Sequence, residues 1–264
     1  MSLLVKPQYD LRIRDELFDK PISEGLIACG GVWHKPLRNI VTGEAATATS
    51  FDLVPAAAGG QLTPQGLVHQ TDASLTGSVI PAVRSGDIGK ASAFVLFRPT
   101  TDVTGSSLNL INVGVPGNNP FFGLRWDSTN ERVRLVNNDN VVSPNGSVVA
   151  GNWYTAGGTM DDVANSKRIF LQGENVESNS TVDSRNWDAI GIGRRYDTDT
   201  NLRFSGQIAV LYIWDRILNA LEMLWLHLNP FGLLSVEEDV FGFVAAVGVT
   251  MPVFEKHYRA MRAA

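Results

Sequence analysis

At 264 residues the chain is long enough to bury a sizeable core, and one large all-β domain with arms accounts for that length as well as two small domains do. A hydrophobic content of 44%, a charged content of 19% and 25 glycines describe a folded, turn-rich chain and exclude disorder of the whole. The net charge of −5 leaves no basic footprint for nucleic acid, and Cys29, the 1 cysteine, excludes an intrachain disulfide or a cysteine-rich zinc site.

Residues 1–21 form an arm of mixed charge, and its first ten residues lack the basic segment, apolar run and cleavage site of a secretory signal, so no export by that route is expected. Residues 26–80 are rich in Gly, Ala, Thr and Pro without a helical period, which reads as short strands and long loops. From residue 90 the pattern sharpens. Ala93, Val95 and Phe97 alternate with Ser92, Phe94, Leu96 and Arg98, a strand apolar on both faces that Pro99 ends. Residues 108–113, 121–126 and 132–136 are short β-prone runs divided by the turn groups VPGNNP and DSTNE. Residues 141–142, 153–159, 168–171 and 189–192 continue the series, at the spacing of an antiparallel sandwich.

The strongest strand spans residues 204–214. Strict alternation puts Phe204, Ile208, Val210, Tyr212 and Trp214 on one face and Ala209, Leu211 and Ile213 on the other, so the strand is expected to be central. One helix follows. Asn219 and Glu222 have the spacing of a capping box, and Ile217, Leu218, Leu221, Leu224, Trp225 and Leu228 form an apolar stripe expected to face the core, with Pro230 as the stop. Trp153, Trp214 and Trp225 read as core residues.

The tail, residues 236–264, opens with the acidic group Glu237, Glu238 and Asp239. Phe241, Phe243, Ala245, Val247 and Val249 then alternate with smaller residues in a strand-like run. Its longest uncharged stretch, residues 240–254, is too short for a membrane span and holds two glycines and Pro252. Pro252 can open a helix in which Val253, Phe254, His257, Tyr258 and Met261 share a face, with Lys256, Arg259 and Arg262 suiting its carboxyl end. This tail is too apolar to stand alone in water, so it folds back on its own domain or docks on another subunit. Phe241, Phe243, Val253, Phe254 and Tyr258 are the expected partner-docking residues.

Catalytic patterns are missing. His34, His69, His227 and His257 are scattered without an HExxH pair, no G-x-S-x-G elbow exists, and Gly191-Ile192-Gly193 lacks the setting of a nucleotide loop. Asp161-Asp162 and the Glu174/Glu177 pair read as solvated groups in polar connections. Arg194, Arg195 and Arg203 with Trp187 and Tyr196 make a basic, aromatic cluster that reads as a rim loop, or as a hold for an acidic sugar or a neighbouring protein.

Three segments resemble the laminin G-like jelly rolls of the concanavalin A-like lectin and glucanase superfamily. GKASAFVLFRP (89–99) is similar to the family's early strand. GNWYTAGGTMDDVANSKRIFLQGENV (151–176) resembles its Trp-bearing strand, Asp-bearing hairpin and following strand. FSGQIAVLYIWDRILNALEMLWLHLNP (204–230) resembles its closing strand, Asp-Arg turn, short helix and Asn-Pro stop. The resemblance implies an all-β fold of two antiparallel sheets over residues 22–235, with one short helix after the last strand and an arm at each end. Glucanases of the superfamily carry Glu, Asp and Glu at alternating strand positions; this chain has no such strand, so no catalytic residue and no enzymatic activity are expected.

No cofactor is required on this reading. Some relatives bind calcium through rim loops, and Asp161, Asp162, Asn165, Asp197 and Asp199 offer hard oxygen donors without a fixed ligand spacing. The lone domain, helix and short tail also resemble domains of tailed-bacteriophage virion proteins. That analogy implies a structural role, as capsid decoration or tail-associated adhesion. The expected partners are a capsid or tail protein of the same particle, further copies of the chain and a surface glycan, with neither nucleic acid nor membrane. The expected location is the virion, after synthesis in the host cytoplasm. The alternative is a carbohydrate-binding module, and a glycan hydrolase or lyase comes after it.

Overall fold

The computed structural model describes residues 22, 24–31, 69–71, 78–81, 87–99, 108–114, 122–137, 139–179, 181–182, 185–186, 189–193, 204 and 206–233. In chain order the strands are β1 (Leu26–Gly31), β2 (His69–Thr71), β3 (Ser78–Pro81), β4 (Asp87–Ile88), β5 (Lys90–Pro99), β6 (Leu108–Gly114), β7 (Phe122–Asp127) and β8 (Arg132–Asn137). They continue as β9 (Asp139–Val142), β10 (Tyr154–Asp161), β11 (Ser166–Leu171), β12 (Glu174–Asn179), β13 (Arg185–Asn186), β14 (Ala189–Ile192) and β15 (Gly206–Trp214), and helix α1 (Ala220–Leu228) follows.

Two antiparallel sheets form the sandwich. One has seven strands in the order β1-β15-β5-β10-β11-β12, with β2 also paired to β15; the other has six in the order β3-β14-β6-β7-β8-β9. β4 and β13 make a separate two-stranded ribbon. The sheets bury Val95, Phe97, Leu124, Trp126, Leu135 and Leu211 between them, while α1 covers the outer face of the seven-stranded sheet over Phe94, Leu96, Phe170, Tyr212 and Trp214. The chain is thus three layers deep, and this explains why β5 and β15 read as apolar on both faces.

Adjacent glycines on β10 serve both interfaces. A Cβ on Gly157 would lie 2.7 Å from Met223 Sδ of α1, and one on Gly158 would lie 2.9 Å from Leu135 Cδ1 of the opposite sheet. Successive strand residues point to opposite faces, so one Gly-Gly pair lets both neighbouring layers approach the same strand.

Strict alternation fails on β15. Its pairing with β5 slips between Ile208 and Val210, a bulge that places Phe204 and Ile208 with Leu211 and Ile213 between the sheets. Ala209, Val210, Tyr212 and Trp214 face α1 instead. The two-face assignment read from the sequence is therefore corrected for Phe204, Ile208 and Ala209, because one extra residue inverts the parity of everything before it.

The helix starts as expected. Asn219 Oδ1 accepts from the N–H groups of Leu221 (2.9 Å) and Glu222 (3.0 Å), and Glu222 Oε2 accepts from the Asn219 N–H (2.7 Å). Its buried face is a correction for Leu221, Leu224 and Leu228, while Leu218 is buried and Trp225 half-buried as the stripe predicts. Glu222, Met223 and Leu226 point inward, while Leu221, Leu224 and Leu228 are exposed. Arg216 sets this rotation by donating to Glu222 Oε1 at 2.6 Å and to the carbonyls of Glu24 (2.6 Å) and Ile22 (3.3 Å). That network turns the capping glutamate toward the sheet, and the leucines with which it shares the helix turn away.

Trp214 is fully buried and its indole N–H donates to the Ile22 carbonyl at 2.7 Å; Trp153 and Trp225 are half-buried against the same core. Among the described residues, no helix is long and apolar enough to cross a membrane.

Candidate functional site

The outer face of the six-stranded sheet carries a polar group built from three strands. Outward side chains of β6, β7 and β8 meet across the ladder: Asn109 pairs with Arg125, Arg125 with Arg134, and Asp127 with Arg132. The sequence signal was legible: R-x-D at 125–127 and R-x-R at 132–134 lie on either side of a short turn, and hairpin register brings Asp127 opposite Arg132 and Arg125 opposite Arg134.

Asp127 is the centre of this group. Its fully buried carboxylate accepts Asn130 Nδ2 at 2.9 Å, Arg132 Nε at 3.0 Å and Arg134 Nε at 2.9 Å on Oδ2, while Oδ1 accepts the Asn130 N–H at 3.3 Å. Burial pushes this carboxyl up, but the hydrogen bonds and the positive charge of Arg134 outweigh burial and hold it below the ordinary carboxylate value. Arg132 also donates to Asn145 Oδ1 at 3.0 Å. Both guanidiniums are thereby fixed at the sheet surface.

Beside them lies an amide pair. Asn112 Nδ2 donates to Asn109 Oδ1 at 3.1 Å, and both residues are fully buried. Gly123 and Gly191 flank Asn112 in register on the two neighbouring strands, so no side chain rises on either side of it. Asn112 Oδ1 has no hydrogen-bond partner, an acceptor held on this face with nothing to satisfy it.

The acidic residues considered for catalysis or calcium are differently disposed. Asp161 closes β10 and pairs with Lys90 Nζ at 3.3 Å, and its Oδ1 accepts the Val163 and Ala164 N–H groups at 3.0 Å each. Burial raises the Asp161 carboxyl, and these partners more than reverse the effect. Asn165 Oδ1 accepts the Val182 N–H at 2.9 Å, while Asp162 Oδ1 is buried without a partner, in the space that a Gly89 side chain would need. Two of the three described candidate calcium donors, Asp161 and Asn165, thus spend oxygens on backbone N–H groups. Among the described residues, no cluster of three or more His, Cys, Asp or Glu is placed to hold a metal ion. Asp197 and Asp199 lie outside the described residues. Glu174 and Glu177 are on strand β12, and not in a connection as the sequence suggested.

The remaining site expectations fall outside the described residues: the partner-docking residues Phe241, Phe243, Val253, Phe254 and Tyr258, and the basic, aromatic cluster Trp187, Arg194, Arg195, Tyr196 and Arg203. Sequence reading missed two polar ties besides the Asp127 group. Lys167, fully buried on β11, donates from Nζ to the carbonyls of Asn137 and Asp139, both at 2.9 Å, and so joins the two sheets at one edge. His227 of α1 meets Thr155 of β10 with Nδ1 2.8 Å from Oγ1. The Thr155 hydroxyl donates to Gln172 Oε1 at 3.1 Å, so Nδ1 of His227 carries the proton between them. Burial holds the His227 imidazole below its ordinary value, and nearby Glu174 offsets part of that effect.

Residues 88–223 match the laminin G-type family model of the concanavalin A-like lectin/glucanases superfamily. No curated protein sequence matches the chain. Among solved structures, it is similar to Trypanosoma rangeli sialidase in complex with 2,3-difluorosialic acid, with a TM-score of 0.60 and 16% identity over 81% of this chain and 35% of that one. The binding domain of Paraclostridial Mosquitocidal Protein 1 gives a TM-score of 0.58 and 12% identity over 80% of this chain and 53% of that one. The chain spans about a third of the length of the sialidases it matches. At these identities the likeness is one of fold.

Proposed function

The chain belongs to the concanavalin A-like lectin/glucanases superfamily, and from that premise we propose that it is a non-enzymatic binding and assembly protein of a tailed-phage particle, a capsid decoration or tail-associated adhesin. The sandwich faces outward, made in the host cytoplasm and carried on the virion, and the tail containing Phe241 and Phe243 holds it to a capsid or tail protein and to further copies of itself.

The observation that supports the non-enzymatic part is the use made of three of the described carboxylates. Asp127 is enclosed by two guanidiniums, Asp161 closes a turn against Lys90, and Glu222 caps a helix. Glycosidases that work with a carboxyl pair instead keep both carboxyls free toward the sugar, about 5–9.5 Å apart. The particle role rests on the analogy to tailed-phage virion domains, drawn from the helix that ends in Asn-Pro-Phe, and on the apolar tail. Particle occupancy tests it: Phe241→Ser with Phe243→Ser should release the protein from its particle, and unchanged occupancy would count against the reading.

A carbohydrate-binding module is the second reading, favoured by the outer face of the six-stranded sheet. Guanidinium donors held at the sheet surface suit a ligand that carries a carboxylate. A sialidase solved with 2,3-difluorosialic acid shares this fold over about a third of its own length. A glycan array run with and without chelator separates this reading from pure assembly and tests calcium with it.

A further inference from the structure

Helix α1 is apolar on two opposite sides. Met223 and Leu226 point into the core at 1% and 0% exposure, whereas Leu221, Leu224 and Leu228 stand 69%, 39% and 64% exposed. Their spacing of three and four residues makes one stripe about 10 Å long. A helix apolar on all sides belongs in an interior, and three leucines in register are more than the single exposed apolar residues that any surface tolerates.

The surroundings say what covers them. Past the helix, Leu233 is buried in the core cluster of Met223 and Leu226, and a Cβ on Gly232 would meet Trp225 and Asn229, so the described chain ends beside the carboxyl end of α1. The β11–β12 turn touches the same end, since a Cβ on Gly173 would lie 3.0 Å from both Leu224 Cδ1 and His227 Cβ. Exposed Glu174 follows directly, and its charge acts on His227 of α1, giving the stripe an acidic neighbour. In the sequence that leaves the helix, residues 253–262 have the matching chemistry: Val253, Phe254, His257, Tyr258 and Met261 at helical spacing, with Lys256, Arg259 and Arg262 beside them.

We propose that residues 253–261 of the same chain seat as an amphipathic helix over Leu221, Leu224 and Leu228, with their basic side chains toward Glu174. The tether decides between this chain and another copy. A segment joined so near its seat has an effective concentration in the millimolar range, far above that of a free partner at about micromolar protein. The inference does not rest on the particle role, and it leaves Phe241 and Phe243 as the part of the tail that meets a partner.

Hydrogen–deuterium exchange on the full chain tests it. Residues 253–261 should be protected, and Leu221→Glu with Leu228→Glu should lower that protection about tenfold or more while amides of β15 stay as slow as before. Phe254→Glu with Tyr258→Glu should raise exchange in α1 reciprocally. The exposed positions of the two leucines make a folding failure easy to recognise, because β15 would then exchange as well. Unprotected residues 253–261 in the unmodified chain, or protection indifferent to the leucine changes, would overturn the proposal. So would protection that rises with protein concentration, which would identify a second copy as the occupant.

Discussion

Replacing Asp127 with Asn removes one negative charge from beneath two guanidiniums while keeping the side chain's shape. In the folded protein, Oδ2 accepts three side-chain donors within 3.0 Å, two of them cationic, and the carboxylate is out of water. Breaking a buried ion pair from one side typically costs about 3–5 kcal/mol. Here Arg132 and Arg134 keep 21% and 23% exposure and can recover water, which lowers the loss to about 2–3 kcal/mol. For a chain of this size that corresponds to a Tm lower by about 4–12 °C.

The pH dependence gives a separate check on the same variant. Because the folded carboxyl lies below its ordinary value of 3.8, its contribution is whole above that value and is lost as pH falls through the folded one. The Tm difference between Asp127→Asn and the unmodified chain should therefore hold at neutral pH and close in acid. Thermal unfolding followed by circular dichroism across pH measures both effects. A difference under about 0.5 kcal/mol at neutral pH, or a gap that does not narrow in acid, would refute the assignment of Asp127 as the charge that fixes this face.

Gly158→Ala should cost about 1–3 kcal/mol in urea denaturation, since its methyl meets Leu135, Leu124 and Phe122 in a packed interior; Gly157→Ala should cost less, because flexible Met223 can give way. Lys167→Met keeps the length of the side chain but removes the donor to two carbonyls, so a loss of about 1–3 kcal/mol is expected, with faster amide exchange in β9. For His227, the folded imidazole is harder to protonate than the unfolded one. It favours the fold above about pH 6.5, and that stability is lost as pH falls below this value, whereas His227→Gln should flatten that part of the Tm-against-pH curve.

Where neighbouring residues alone carry the instruction, the sequence was sufficient. Alternation on β5 named both of its buried faces, the Asn219 and Glu222 spacing placed the helix start, and the turn groups divided the strands into a sandwich. R-x-D and R-x-R across a short turn could have disclosed the Asp127 group too, because hairpin register is local. Other features depend on segments far apart in the chain. The bulge on β15 exists because that strand must fit against β5, and it exchanged the faces of Phe204, Ile208 and Ala209. The strongest apolar stripe of α1 turned outward because Arg216, holding the carbonyls of Ile22 and Glu24, drew Glu222 inward. Lys167 gained its role only when β11 came beside the β8–β9 turn. Periodicity determines which residues can share a face of an element; which face is buried depends on the ties that the rest of the chain brings to it, and those exist only in the folded molecule.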